Sequence, residues 1–288
     1  MTTHSNEQLS VGIIGAGWVG EALAQMLKKL KFNILASRQS EDGLQVLANS
    51  GIPNIKLSVQ ADSILEHDNL IFKQQCLIIC IPPGIRYGKG DYPQKIKQIV
   101  DAASSENSKV TSLILLSSTA VYNGLQGEVN ELTKLDYSAE KVELLATAEQ
   151  YVLNSKLAHK YVIRLAGLIG YYRQPGRFFA QGRAIPNPDS VVNFIHRDDV
   201  LGIICKLITM LSIGQAPNAN IINAVINDHP KRKDFYLKAV DKATSKTAIF
   251  KEQEEVAGKL VNSVNIAQLS YQFIHPKLMS YLDEQNES

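Results

Sequence analysis

The chain has 288 residues, 45% of them hydrophobic, and its 30 Lys and Arg against 28 Asp and Glu leave a net charge of +2. That size accommodates one large α/β domain with a smaller appendage around a full core. The balanced charge, with no face-sized run of Lys or Arg, excludes an electrostatic footprint for nucleic acid, and no apolar run reaches the roughly 18 residues of a membrane span.

Residues 9–14 read as an apolar strand running into Gly15-Ala16-Gly17-Trp18-Val19-Gly20, with an apolar-periodic helix expected over 21–30. This is the context a dinucleotide needs. Gly15 allows the tight turn, Gly17 lets the backbone approach a pyrophosphate, and Gly20 lets the helix pack close to the sheet. The helix start adds unpaired N–H groups and partial positive charge. Gly12, Trp18 and Val19 complete the set expected to hold the cofactor.

The next strand, 32–37, ends in Ser37 and Arg38, where dinucleotide folds place either a carboxylate for the ribose or a base for a 2′-phosphate. Glu41 and Asp42 fall too late for the carboxylate. A guanidinium holds phosphate bidentately and Ser37 adds a hydroxyl, which favours NADP over NAD. A plain surface charge is the other reading of Arg38.

A helix is expected over 42–49 and a short strand over 55–59. The stretches 76–81 and 112–117 are near-continuous apolar runs, as parallel strands covered on both faces should be, with an amphipathic helix between them at 92–103. Ile81-Pro82-Pro83-Gly84 falls at a strand's carboxyl end, where ligands gather, so Ile81, Pro82 and Pro83 join the expected cofactor contacts. A long helix over 139–155 and a strand over 160–165 continue the βαβ repetition. The fold class is therefore α/β, a Rossmann-type doubly wound parallel sheet.

Beyond Gly170 turn-rich connections appear, followed by a strand at 191–195, a helix at 198–211, a strand at 220–225 and a helix at 231–240. A small strand at 259–261 and a helix at 265–272 close the pattern. Residues 1–170 are expected to form the NAD(P)-binding domain, and 171–288 to complete the sheet and form a smaller substrate-binding region. Lys231-Arg232-Lys233, the densest basic cluster, reads as a solvated helix start.

Cys76, Cys80 and Cys205 lie inside apolar runs and read as small core residues in a reducing compartment. No metal site is expected. Residues 1–7 are polar and lack the apolar core of a secretion signal, so a cytoplasmic protein is expected.

Hydroxyls cluster at the end of the fifth strand in Ser117-Ser118-Thr119-Ala120-Val121-Tyr122. Here the chain resembles the extended short-chain dehydrogenase/reductases, the NAD(P)-dependent epimerase/dehydratase family. The resemblance continues through Val162 to Gly170, through Asn193-Phe194-Ile195-His196-Arg197-Asp198-Asp199-Val200 and through Ile222-Asn223-Ala224-Val225. Arg164 to Gly170, with Pro175-Gly176-Arg177-Phe178-Phe179, is most similar to the atypical, YeeZ-like branch.

The resemblance implies that Ser118 or Thr119 orients the reacting oxygen and that a Tyr-x-x-x-Lys pair moves the proton while the nicotinamide moves the hydride. Tyr137 and Lys141 have that spacing. The family's glutamate, four residues beyond its lysine, is best matched by Glu149, which counts back to Leu145 at the lysine place and Lys141 at the tyrosine place. The pair is thus one helical turn, about 5 Å, out of register or coincidental, leaving Tyr137, Tyr122 or a water as proton source. Gly15-x-Gly17-x-x-Gly20 also departs from the extended family's usual glycine spacing.

Arg173, Arg177 and Arg183 lie in the zone that, by resemblance, covers the substrate, and their guanidinium forks suit phosphate or carboxylate. His196 next to Asp198 and Asp199 suggests an acid–base couple, which the resemblance reads instead as a helix-start and loop-bracing element. The implied function is an NADP-binding oxidoreductase or epimerase-like protein acting on a small or nucleotide-linked substrate, such as a sugar. A non-catalytic NADP(H) sensor or scaffold is the alternative, and a homodimer through helices 92–103 and 139–155 is implied by resemblance.

Overall fold

The structure is a computed structural model and describes residues 9–65, 70–85, 88, 90–179, 182–244, 246–251 and 258–284. Residues 1–7, read above for a secretion signal, lie outside the described residues.

Strand β1 (Ser10–Ile14) leads into helix α1 (Trp18–Lys29), then β2 (Asn33–Arg38) and α2 (Glu41–Asn49). Three short strands follow: β3 (Asn54–Lys56), β4 (Ser58–Val59) and β5 (Ile64–Leu65). Strand β6 (Cys76–Ile79), helix α3 (Tyr92–Ala103), β7 (Ser112–Ser118) and β8 (Gly127–Val129) precede helix α4 (Glu140–Leu153). Next come β9 (His159–Leu165), β10 (Gly167–Ile169), β11 (Phe194–His196), α5 (Arg197–Ser212) and β12 (Ile221–Ala224). Helix α6 (Arg232–Thr244), β13 (Lys259–Val261) and α7 (Leu278–Glu284) complete the order.

A seven-stranded sheet has the order β12-β9-β7-β6-β1-β2-β3, and the pairs from β3 to β7 are parallel. This is the Rossmann-type α/β architecture. Strand β6 is buried at every position and β7 at all but its last, which is why both are apolar without alternation. The strand order reverses at β1, flanked by β2 and β6, and the crevice outside the carboxyl ends of β1 and β6 is the switch point where such sheets bind ligands.

Two compact units are drawn from interleaved stretches. The first comprises Met1–Ser117, Glu143–Ile163 and Ile204–Asn220, and the second Ser118–Val142, Arg164–Ile203 and Ile221–Ser288. In the first, α1 buries Leu23, Ala24 and Leu27, and α3 buries Ile96, Ile99 and Val100. Period-3.6 apolar spacing produces both faces. In the second, β13 pairs with β8 and β10 with β11, each in parallel.

Several sequence expectations shift. The helix after the glycine turn starts at Trp18 rather than 21, because Gly20 lies inside its first turn. The strand expected over 55–59 is two pieces, β3 and β4. The one expected over 191–195 lies at Phe194–His196, because Val192 N–H donates instead to Pro230 O and Asn193 is drawn to β13. The helix expected over 265–272 is one 3-10 turn, Ile266–Leu269, closed by Ser270 in the left-handed region. Among the described residues no helix is long and apolar enough to cross a membrane.

Candidate functional site

In the first unit the glycine turn sits at the switch point. Gly15 has φ +83°, and a Cβ there would lie 3.2 Å from Ile81, so the residue is fixed both by backbone and by contact with the β6 loop. Gly20 is constrained by contact alone, since a Cβ would come within 3.0 Å of Gly15 O. Gly17 is different. A Cβ on it would meet nothing closer than Gly15 O at 3.9 Å, so the protein's own packing does not require glycine and leaves space over the turn. Helix α1 starts from Gly17, which has no side chain to cap it, and a helix N-terminus beside open space is where a phosphate is favoured.

Ser37 is buried and is used by the turn itself: Gly15 N–H donates to its Oγ at 3.4 Å and Ala16 N–H to its carbonyl at 2.9 Å. Its role here is to brace the turn. Arg38 Nη2 pairs with Glu21 Oε2 at 3.0 Å, while its Nε is buried with no hydrogen-bond partner among the described residues. Glu21 escaped the sequence reading because a carboxylate was sought at the end of β2, not on the facing helix. On the other flank of the crevice, Pro82 is exposed while Ile81 and Pro83 are half-buried.

Also in the first unit, Ser117 Oγ donates to Glu149 Oε1 at 2.6 Å, with both side chains buried. Leu145 is likewise a core residue. Burial pushes the Cys76 and Cys80 thiols up to about 12, which keeps them protonated and inert, and all three cysteines are free.

In the second unit the hydroxyl segment forms a 3-10 turn, Thr119–Tyr122. Ser118 Oγ accepts Ala120 N–H at 3.1 Å, which leaves its hydroxyl proton available to donate. Thr119 is buried, and its carbonyl accepts the Lys259 ammonium. Tyr122 is fully buried: its hydroxyl accepts from Arg164 Nη1 at 2.8 Å and donates to Asn223 Oδ1 at 3.0 Å. Burial raises its pKa, and Arg164 partly offsets that rise.

Tyr137 is 55% exposed in the turn before α4, and Lys141 is half-buried in the first turn of that helix. Lys259, which sequence reasoning missed, donates to Thr119 O at 2.9 Å and to Asn123 Oδ1 at 2.8 Å. Burial, and next the charge of Lys141, lower its pKa to about 8. A lone lysine in a three-residue strand carries no signal of this in sequence. Arg173, Arg177 and Arg183 are all exposed.

Ligand-type atoms of His196, Asp198 and His275 lie within 4.8 Å of one another. Asp198 N–H donates to His196 Nδ1 at 3.2 Å, so that lone pair already serves the helix start. Asp199, fully buried, accepts from Tyr271 Oη at 3.0 Å, Ile274 N at 2.6 Å and His275 N at 3.1 Å, tying α5 to the segment before α7.

No family model matches the chain. Protein YeeZ of Escherichia coli (strain K12) is 33% identical over 231 residues, 78% of this chain and 81% of YeeZ. The chain belongs to the YeeZ family. Solved structures share the fold of this YeeZ-family chain at much lower identity. A protein from Methylobacillus flagellatus, provisionally named an NAD-dependent epimerase/dehydratase, is 20% identical with a TM-score of 0.73, over 98% of this chain and 100% of its own. UDP-glucuronic acid 4-epimerase from Bacillus cereus, solved with NAD, is 14% identical with a TM-score of 0.70, over 96% of each chain.

Proposed function

We propose that this YeeZ-family chain binds a pyridine dinucleotide, NADP in preference to NAD, and acts as an oxidoreductase or epimerase-like enzyme on a small or nucleotide-linked substrate. The observation that carries the reading is the open position over Gly17, beside an uncapped helix start, at the switch point of a parallel sheet. The backbone from Gly15 to Gly20 would hold the diphosphate, and Arg38, with its unmatched Nε, the 2′-phosphate. Fold neighbours solved with NAD, among them the Bacillus cereus epimerase and the Bordetella bronchiseptica enzyme WbmG, support dinucleotide binding, and the preference for NADP rests on Arg38 alone.

When bound, the coenzyme would supply or accept a hydride. The chain's own contribution is to orient and to exchange a proton, and Ser118, with its hydroxyl proton free to donate, is the group we assign to hold the reacting oxygen. Tyr137 would have to act from an exposed turn. The buried Leu145 at the family's lysine place favours a second reading, a coenzyme-binding sensor without turnover.

Calorimetric titration with NADPH and NADH tests binding: the expected result is tighter NADPH, and no heat with either would end the proposal. Incubation of the NADPH complex with carbonyl compounds and UDP-sugars, with product analysis as well as absorbance, separates enzyme from sensor. Conversion supports the first reading, and an unchanged panel the second.

A further inference from the structure

Three side chains converge in the second unit. His196 closes β11, Asp198 lies in the first turn of α5, and His275 stands in the segment before α7. One ligand-type atom of each lies within 4.8 Å of those of the other two. His196 Nδ1 and Asp198 Oδ2 are 3.7 Å apart, close to the roughly 3.4 Å that separates two ligands held tetrahedrally on bonds of about 2.0–2.1 Å. The two imidazole rings are 4.0 Å apart at their centroids.

The surroundings fix these groups. Gly170 backs the His196 ring: a Cβ there would collide with Nε2, and Nδ1 is the nitrogen beside the carboxylate. Tyr171 Oη donates to the Asp198 carboxylate, 3.1 Å from each oxygen, and His275 N–H is pinned to Asp199 Oδ2 at 3.1 Å. Glu284 Oε2 lies 3.8 Å from His275 Nδ1, as carboxylates lie behind many metal-binding histidines. Asp198 and Glu284 set two negative charges against the Arg197 guanidinium, which stacks 4.0 Å from the centre of the Tyr171 ring. Burial keeps His196 uncharged near neutral pH, the form in which imidazole ligates. Asp198 N–H donates to Nδ1 at 3.2 Å from a first helical turn, where amides lack intrahelical partners, so a cation would take over that lone pair at the loss of one hydrogen bond.

We propose that His196, Asp198 and His275 bind a divalent first-row transition-metal cation, with water completing the coordination. Two imidazoles and one carboxylate suit such a cation, whereas magnesium and calcium take oxygen donors. Spacing along the chain carries no signal of the site, because His275 is remote in sequence from the other two. The proposal does not rest on the coenzyme reading, and the test of either leaves the other untouched.

The full chain, freed of metal with a chelator, is titrated calorimetrically with zinc(II) and with magnesium, while the imidazole nitrogens are followed by NMR. The expected result is one zinc bound per chain, no heat from magnesium, and zinc-induced shifts at His196 and His275. His275→Gln should weaken zinc binding by about tenfold or more, since loss of an outer-shell partner alone costs that much. Asp198→Asn keeps the side chain's shape and should weaken zinc likewise, which covers a His275→Gln chain that fails to fold. Zinc binding that neither folded variant weakens is adventitious and would overturn the proposal. Equal heats from magnesium would overturn it too, as would spectra of the parent chain in which His196 and His275 do not respond to zinc.

Discussion

Arg38 Nη2 lies 3.0 Å from Glu21 Oε2, so the guanidinium at the end of β2 already faces a carboxylate from the first turn of α1. The two groups pull in opposite directions on coenzyme choice. Arg38 favours a 2′-phosphate, whereas Glu21 partly neutralises it and would repel that phosphate. Arg38→Ala should weaken NADPH roughly tenfold while barely touching NADH, and Glu21→Gln should tilt the ratio further toward NADPH. Calorimetry with both coenzymes decides it, and equal losses in Arg38→Ala would remove the 2′-phosphate role.

Gly15 and Gly17 should separate stability from binding. At Gly15 a side chain meets both φ +83° and Ile81, so Gly15→Ala should cost about 1–2 kcal/mol of stability. Gly17 has φ −76° and open space, so Gly17→Ala should melt with the parent chain yet lose about tenfold or more in NADPH affinity. Paired thermal melts and titrations measure both. A Gly17→Ala variant that binds normally would show that the diphosphate does not cross that position.

Much of the first unit was legible in sequence because its signals are local. Continuous apolar runs mark β6 and β7, helical spacing of Ile96, Ile99 and Val100 marks α3 to the residue, and the glycine turn marks itself. The pairings that tune the site were not legible. Glu21 meets Arg38, and Lys259 meets Thr119, only after the chain has folded, and no periodicity encodes those meetings. In the second unit, elements as short as β11 and α7 leave too few residues for a periodicity to be read, and bonds distant in sequence help fix their surroundings: Asn193, just before β11, accepts Val261 N–H of β13, and Asp228 accepts Leu278 N–H at the start of α7.

Acid should destabilise the chain through His196. Burial first, then the charges of His275 and Arg197, hold its pKa down to about 4 against an ordinary 6.5, with Asp198 opposing; the rings of Tyr171 and Tyr281 also lie near it. Between those values the unfolded chain takes up a proton that the folded one refuses. Stability is therefore full above the ordinary value and falls as pH drops toward the lower one. His196→Asn keeps an acceptor for Asp198 N–H but does not titrate, so its urea midpoint should fall less between about pH 7 and about pH 5. Parallel declines in parent and variant would clear His196.

Tyr122 offers the sharpest contrast between a chemical and a structural role. Its hydroxyl stands between Arg164 Nη1 and Asn223 Oδ1, and Asn223 is itself tied down, through Nδ2 to Asn262 O and through its N–H to Glu131 Oε1. Removing the hydroxyl leaves a buried guanidinium short of an acceptor and a buried amide oxygen short of a donor. Tyr122→Phe should therefore lose roughly 1–3 kcal/mol in urea unfolding. Its NADPH affinity should equal the parent's, because the lost bonds lie among Arg164, Asn223 and the ring. Unchanged stability with abolished turnover would instead return Tyr122 to the proton-carrying role its sequence position implied.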